Sequence, residues 1–108
     1  MSIPQVSVSD VADDAVLLDV REQDEWDAGH APGAVHIPLG DLPARLGDLP
    51  DTDAGALAVA CRSGGRSSRA VEWLVQQGFD VANLDGGMKA WEAAGKPLAA
   101  DSSTPSVK

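Results

Sequence analysis

Apolar residues along this chain fall in short runs separated by polar links, each run about as long as one strand or one helical face. Ala15–Val20 (Ala-Val-Leu-Leu-Asp-Val) is apolar and ends in charge, the pattern of a buried parallel strand whose C-terminal end opens toward solvent. Leu57–Ala60 is a second such run and leads directly into Cys61; Val81–Leu84 is a third. Val35–Ile37, closed by Pro38, predicts a shorter strand, and Val6–Val8 predicts a short edge strand. Between these runs the period changes. Ala70, Val71, Leu74 and Val75 recur at helical spacing, so Ser67–Gln77 predicts a helix with Ser67 or Ser68 as its cap and Gly78 at its end. Glu22–Ala28 (stopped by Gly29), Asp41–Gly47 (capped by Asp41) and Gly87–Ala94 (closed by Gly95 and Pro97) predict shorter helices. Ser9 predicts the cap of a brief turn through Asp13, and Asp51–Gly55 reads as a polar loop. Strands alternating with helices through short links indicate an α/β fold with a mainly parallel sheet. In such sheets, sites form beyond the C-terminal ends of the strands. Val20-Arg21-Glu22 and Cys61-Arg62 both fall there.

The 108 residues suffice for one domain and one core, with no internal repeat. Residues 1–98 are expected to form that domain. Residues 99–108, polar with one Pro and four Ser/Thr, are expected to be a disordered tail. Met1–Asp10 has neither a basic residue nor an apolar run, so it is not a signal peptide. The longest apolar stretch, Ala56–Cys61, is six residues and too short to span a bilayer. A soluble, cytoplasmic, monomeric protein is the expectation. Cys61 is the sole cysteine, which excludes an internal disulfide and a dithiol redox pair.

Charge sharpens the picture at one place. Seventeen acidic residues against eight basic ones give a net charge of −9, which argues against nucleic acid or an anionic membrane as partner. Yet Arg62, Arg66 and Arg69, three of the five arginines, lie within eight residues of one another beside Cys61. An acidic chain that gathers its arginines at one point is expected to handle an anion there.

Cys61-Arg62-Ser63-Gly64-Gly65-Arg66-Ser67 joins a predicted buried strand to a predicted helix. Such a loop can curl so that successive backbone N–H groups point inward, forming an anion nest completed by the helix N-terminus. Gly64 and Gly65 supply the backbone freedom for that curl. The positive helix end and the arginines should hold Cys61 as thiolate, the reactive form. A lone cysteine that ends a strand is more often a small buried hydrophobe; the glycine pair, arginines and helix start together reverse that expectation. Loop length then separates chemistries. Cysteine phosphatases use C-x-x-x-x-x-R, whereas here Arg66 follows only four intervening residues and Ser stands at 67. The smaller ring suits a single sulfur on the cysteine better than a phosphoryl group. No His, Asp or Asn is tied to Cys61 by local sequence, so acyl transfer lacks its base.

At these residues the chain resembles the rhodanese-like (thiosulfate sulfurtransferase) family in its single-domain form. Asp19-Val20-Arg21-Glu22, Glu25-Trp26, Gly29-His30-Ala31-Pro32-Gly33-Ala34 and Ile37-Pro38-Leu39 are similar to the family's N-terminal signature. Leu84-Asp85-Gly86-Gly87, Ala90-Trp91 and Gly95-Lys96-Pro97 are similar to its C-terminal one, so the matches run from about Leu18 to Pro97. The resemblance implies a five-stranded, mainly parallel sheet with helices on both faces. It implies a double displacement in which Cys61 takes a sulfane sulfur from a small anionic donor such as thiosulfate and passes it on. The acceptor would be cyanide, a thiol or a protein cysteine. It further implies that the backbone N–H groups from Arg62 to Ser67 cradle a Cys61 persulfide, that Arg62 and Arg66 favour the donor, and that no metal or other cofactor is needed. A phosphatase or arsenate reductase, and a non-catalytic binding module, are the rival classes.

Weaker signals read as structural. Asp19, Arg21 and Glu22 fit an ion pair that fixes loop geometry, and His30 fits a framework hydrogen bond. His36 makes no metal pattern with His30. Trp26, Trp73 and Trp91 fit packing against the sheet. Asp51-Thr52-Asp53 lacks the Gly and Glu positions of a calcium loop.

Overall fold

A computed structural model describes residues 3–50, 55–100 and 105–108. Five strands, β1 (Gln5–Val6), β2 (Leu17–Asp19), β3 (Ala34–His36), β4 (Leu57–Ala60) and β5 (Val81–Leu84), form one sheet in the order β1-β5-β4-β2-β3. Every strand pairing is parallel. The helices are α1 (Gln23–Ala28), α2 (Gly65–Gln76) and α3 (Gly87–Ala93). Among the described residues no helix is long and apolar enough to cross a membrane.

Side chains alternate between the two faces of a strand, and both faces here are covered. Leu18, Val20, Leu57, Val59 and Val81 pack on one side with Ala70, Val71 and Leu74 of α2 and with Leu42. Leu17, Ala58, Ala60 and Leu84 pack on the other with Met88 and Trp91 of α3. A sheet buried on both faces needs near-continuous apolar strands, which is why β4 and β5 read so clearly in the sequence. The layers put the C-terminal ends of β2 and β4, in register at Asp19 and Ala60, at one end of the molecule.

The structure departs from the expected elements where local hydrogen bonding overrides pattern. α2 starts at Gly65 with Gly64 as its cap, three or four residues before the expected serine caps. The Ser67 and Ser68 hydroxyls instead turn back to the Gly64 carbonyl. The expected helix Asp41–Gly47 is two 3-10 turns, Leu39–Ala44 and Leu46–Asp48, because Pro43 removes a backbone donor from its interior. Ser7, not Ser9, caps the first turn, Val8–Asp10. α1 is held by reciprocal Glu22 and Glu25 hydrogen bonds to each other's backbone.

The stretch 99–108, expected to be disordered, is seated where it is described. Ala99 exchanges backbone hydrogen bonds with His30. The Ser106 N–H donates to the Ala28 carbonyl, and Val107 is buried against the α3 side of the sheet. Lys108 pairs with Asp24 at 2.6 Å. One apolar side chain in a polar segment makes no periodic pattern, so Val107 was invisible as an anchor. The expected Asp51-Thr52-Asp53 loop lies outside the described residues.

Candidate active site

Cys61 follows β4 directly and is 1% exposed. Its surroundings are built by three elements. Gly64, with φ of +113°, turns the chain so that its N–H donates to Cys61 Sγ at 3.1 Å; an L side chain would strain that conformation. The first turn of α2 brings the Ser67 hydroxyl to 3.3 Å from the same sulfur. The first turn of α3 then ties the loop from below, as Met88 N–H donates to the Cys61 carbonyl (2.8 Å) and Lys89 N–H to the Arg62 carbonyl (2.9 Å).

Burial pushes the Cys61 thiol up, but the Ser67 hydroxyl and the N–H groups of Ser67, Gly64 and Ser63 outweigh it. The net position is below the ordinary thiol value of 9.0. Hydrogen bonds to a sulfur favour its charged form, so the site as built favours thiolate. Of the stretch Arg62 to Ser67, the N–H groups of Ser63, Gly64 and Ser67 act on the sulfur. Ser67 and Gly64 are buried, Arg62, Ser63 and Gly65 are exposed, and Arg66 is half-buried.

The arginines beside Cys61 are engaged within the chain to different degrees. Arg66 reaches across to α1 and holds Glu25 bidentately, at 2.6 and 2.8 Å. That pairing raises the Arg66 pKa further and lowers that of Glu25. Arg66 still acts on Cys61 through its charge, but its fork is occupied. The Arg62 Nε donates to the Lys108 carbonyl at 3.2 Å. Arg69 is exposed on α2.

The N-terminal motif is framework, as its residues suggested. Arg21 is fully buried and forks onto Asp19 (2.8–3.0 Å) and the Gly29 carbonyl (2.7 Å). His30 Nδ1 bonds the Trp26 carbonyl at 2.9 Å, and its ring stacks on Trp26 at 3.6 Å. His36 stacks on Trp26 at 4.8 Å and bonds the Arg21 carbonyl. Trp26 thus packs on His30 and on His36 at the end of β3, and Trp91 is fully buried on the sheet.

Two contributors were missed in the sequence. Asn83, 4% exposed on β5, accepts from the Ser67 hydroxyl and donates to Gln5. The signal was a lone polar residue inside the apolar run Val-Ala-Asn-Leu. Gly87, with φ of +61°, sits so close to the cysteine loop that a Cβ there would lie 2.6 Å from the Cys61 carbonyl oxygen.

A profile of the rhodanese-like domain family matches residues 7–94. The chain is 46% identical over 81 residues to the YtwF protein of Bacillus subtilis (strain 168), covering 75% of this chain and 77% of that one. It is 39% identical over 90 residues to a protein of Allochromatium vinosum named sulfurtransferase, covering 82% of this chain and 81% of that one. Among solved structures, a rhodanese-related protein from Thermoplasma volcanium superposes with a TM-score of 0.79 at 29% identity, over 91% of this chain and 99% of that one.

Proposed function

The chain belongs to the rhodanese-like domain family, and on that premise we propose that it is a sulfurtransferase carrying sulfane sulfur on Cys61. The observation that carries the reading is the set of donors converging on Cys61 Sγ from the Gly64 N–H and the Ser67 hydroxyl. They stabilise negative charge on sulfur in a buried site, and among the described residues no general base is hydrogen-bonded to it.

The Cys61 thiolate attacks the outer sulfur of a donor such as thiosulfate. Its electron pair forms the new S–S bond, the donor's S–S bond breaks, and that pair leaves with sulfite. A Cys61 persulfide anion remains, held by the loop N–H groups. An acceptor thiolate or cyanide then attacks the outer sulfur, and Cys61 departs as thiolate. No proton need move in either step, consistent with a site that offers donors but no base. Cys61 is the sole cysteine, so the chain has no thiol of its own to take the sulfur, and the acceptor is external.

Intact mass after incubation with thiosulfate should show one added sulfur, lost on adding cyanide and absent in Cys61→Ser. No adduct, or one that survives Cys61→Ser, overturns the reading. Turnover of an aryl phosphate abolished by Cys61→Ser would favour the phosphatase class, and tight capture of one protein without persulfide formation would favour the binding module.

A further inference from the structure

The Ser67 hydroxyl has one hydrogen and three acceptors: Cys61 Sγ and the Gly64 carbonyl, both at 3.3 Å, and Asn83 Oδ1, the shortest contact of the three. A hydroxyl cannot serve all of them at once. Asn83 presents its oxygen to Ser67 because its other end is spoken for: Asn83 Nδ2 donates to Gln5 Oε1 at 3.0 Å. Gln5 and Asn83 are partners in the β1–β5 register. A chain of side chains therefore runs from the exposed edge strand to the sulfur through Gln5, Asn83 and Ser67.

That chain has two arrangements. With the Ser67 hydrogen on Asn83, the Ser67 oxygen is free to accept from the Cys61 thiol. With the hydrogen on sulfur, the thiolate gains a donor, but Asn83 Oδ1 loses one in a buried place, where an unmet acceptor is costly. We propose that Asn83, oriented by Gln5, is a positioning residue that competes with Cys61 for the Ser67 hydrogen and so restrains the nucleophile. The role rests on Cys61 being the reactive group, not on what it carries.

Charged groups on the elements packed around Cys61 include Arg62 and Arg66 on its own loop and helix, Glu22 and Glu25 at the start of α1 acting through Arg66, the Asp19–Arg21 pair at the end of β2, and Lys89, paired with Glu92, on α3. Among the described hydrogen bonds none of these side chains contacts Gln5, Asn83 or Ser67, so variants of the chain leave them in place.

The test is the pH profile of Cys61 alkylation by iodoacetamide, which needs no sulfur transfer. Gln5→Ala frees the Asn83 amide to rotate its NH2 toward Ser67, which releases the hydroxyl hydrogen to sulfur. Its profile should move to lower pH by about half a unit to one unit, a gain of roughly three- to tenfold in thiolate below the midpoint. Asn83→Val should move it the same way and Ser67→Ala the opposite way. Gln5→Ala should have no further effect in the Ser67→Ala background. Gln5 is exposed at the sheet edge, so this variant stays informative if Asn83→Val fails to fold. An unmoved or upward-shifted profile for Gln5→Ala, or a shift that persists without the Ser67 hydroxyl, overturns the proposal. A shifted profile in a protein that forms no persulfide sustains the chain and removes the sulfur-transfer reading; an unshifted profile with normal persulfide formation does the reverse.

Discussion

Gly87→Ala tests whether α3 and the cysteine loop are held as one unit. Gly87 sits at φ of +61°, where an L residue costs about 1–2 kcal/mol. The added Cβ would lie 2.6 Å from the Cys61 carbonyl oxygen and 2.7 Å from that of Arg62, both backbone atoms. Relief requires the start of α3 to withdraw from the two carbonyls that Met88 and Lys89 bond. Losing or stretching those hydrogen bonds costs about 1 kcal/mol each. The sum is about 3–4 kcal/mol, which in a domain of this size lowers the thermal midpoint by about 15 °C or more. The assay is thermal unfolding followed by circular dichroism, with Gly65→Ala alongside. A Cβ at Gly65 meets nothing within 4 Å, and a helical glycine replaced by alanine gains about 0.4–1 kcal/mol. Gly87→Ala melting within about 3 °C of the parent, or Gly65→Ala falling as far, would refute the reasoning.

Two further variants test the frame and its charges. Asp19→Asn strips the buried Arg21 guanidinium of its counter-charge and should cost about 3–5 kcal/mol in urea unfolding, whereas replacing both residues by apolar ones should recover much of it. Glu25→Gln should flatten the acid limb of stability. Arg66 holds the Glu25 carboxyl below its ordinary value of 4.5, so its contribution is full above that pH and is lost as pH falls through the folded value. The pair is partly exposed, so the loss at neutral pH should be no more than about 1 kcal/mol, and melts at neutral and acid pH should converge for parent and variant in acid.

The fold was legible where burial alone dictates sequence. β4 and β5 were read to the residue because a strand covered on both faces must be almost continuously apolar, with Asn83 the one polar residue in the two. The loop Cys61–Ser67 was legible because a strand, two glycines and a helix start leave few ways to turn. What stayed hidden depends on partners distant in sequence. Nothing near Ser67 announces that its hydroxyl is shared with Asn83 and Gln5, and nothing near Val107 announces a seat beside α3. The caps were misplaced for a related reason: Ser67 and Ser68 are good caps in isolation, but the sulfur needs Gly64 in the left-handed region, and the helix begins there.

The arginines decide how the anion site is understood. Their clustering in an acidic chain suggested that Arg62 and Arg66 favour an anionic donor; in the structure the Arg66 fork is on Glu25, and Arg62 uses its Nε on the Lys108 carbonyl. The donors within reach of the sulfur are the Gly64 N–H and the Ser67 hydroxyl, 3.1 and 3.3 Å from Sγ itself. A phosphoryl group must stand off from its cysteine and be wrapped by donors further out, which is what a longer loop with a free arginine provides. Here the loop donors lie against the sulfur itself, and the Arg66 fork is held by Glu25 of α1. The short loop and the engagement of Arg66 are separate features of the chain, and both support the proposed sulfur cargo over the rival phosphoryl one.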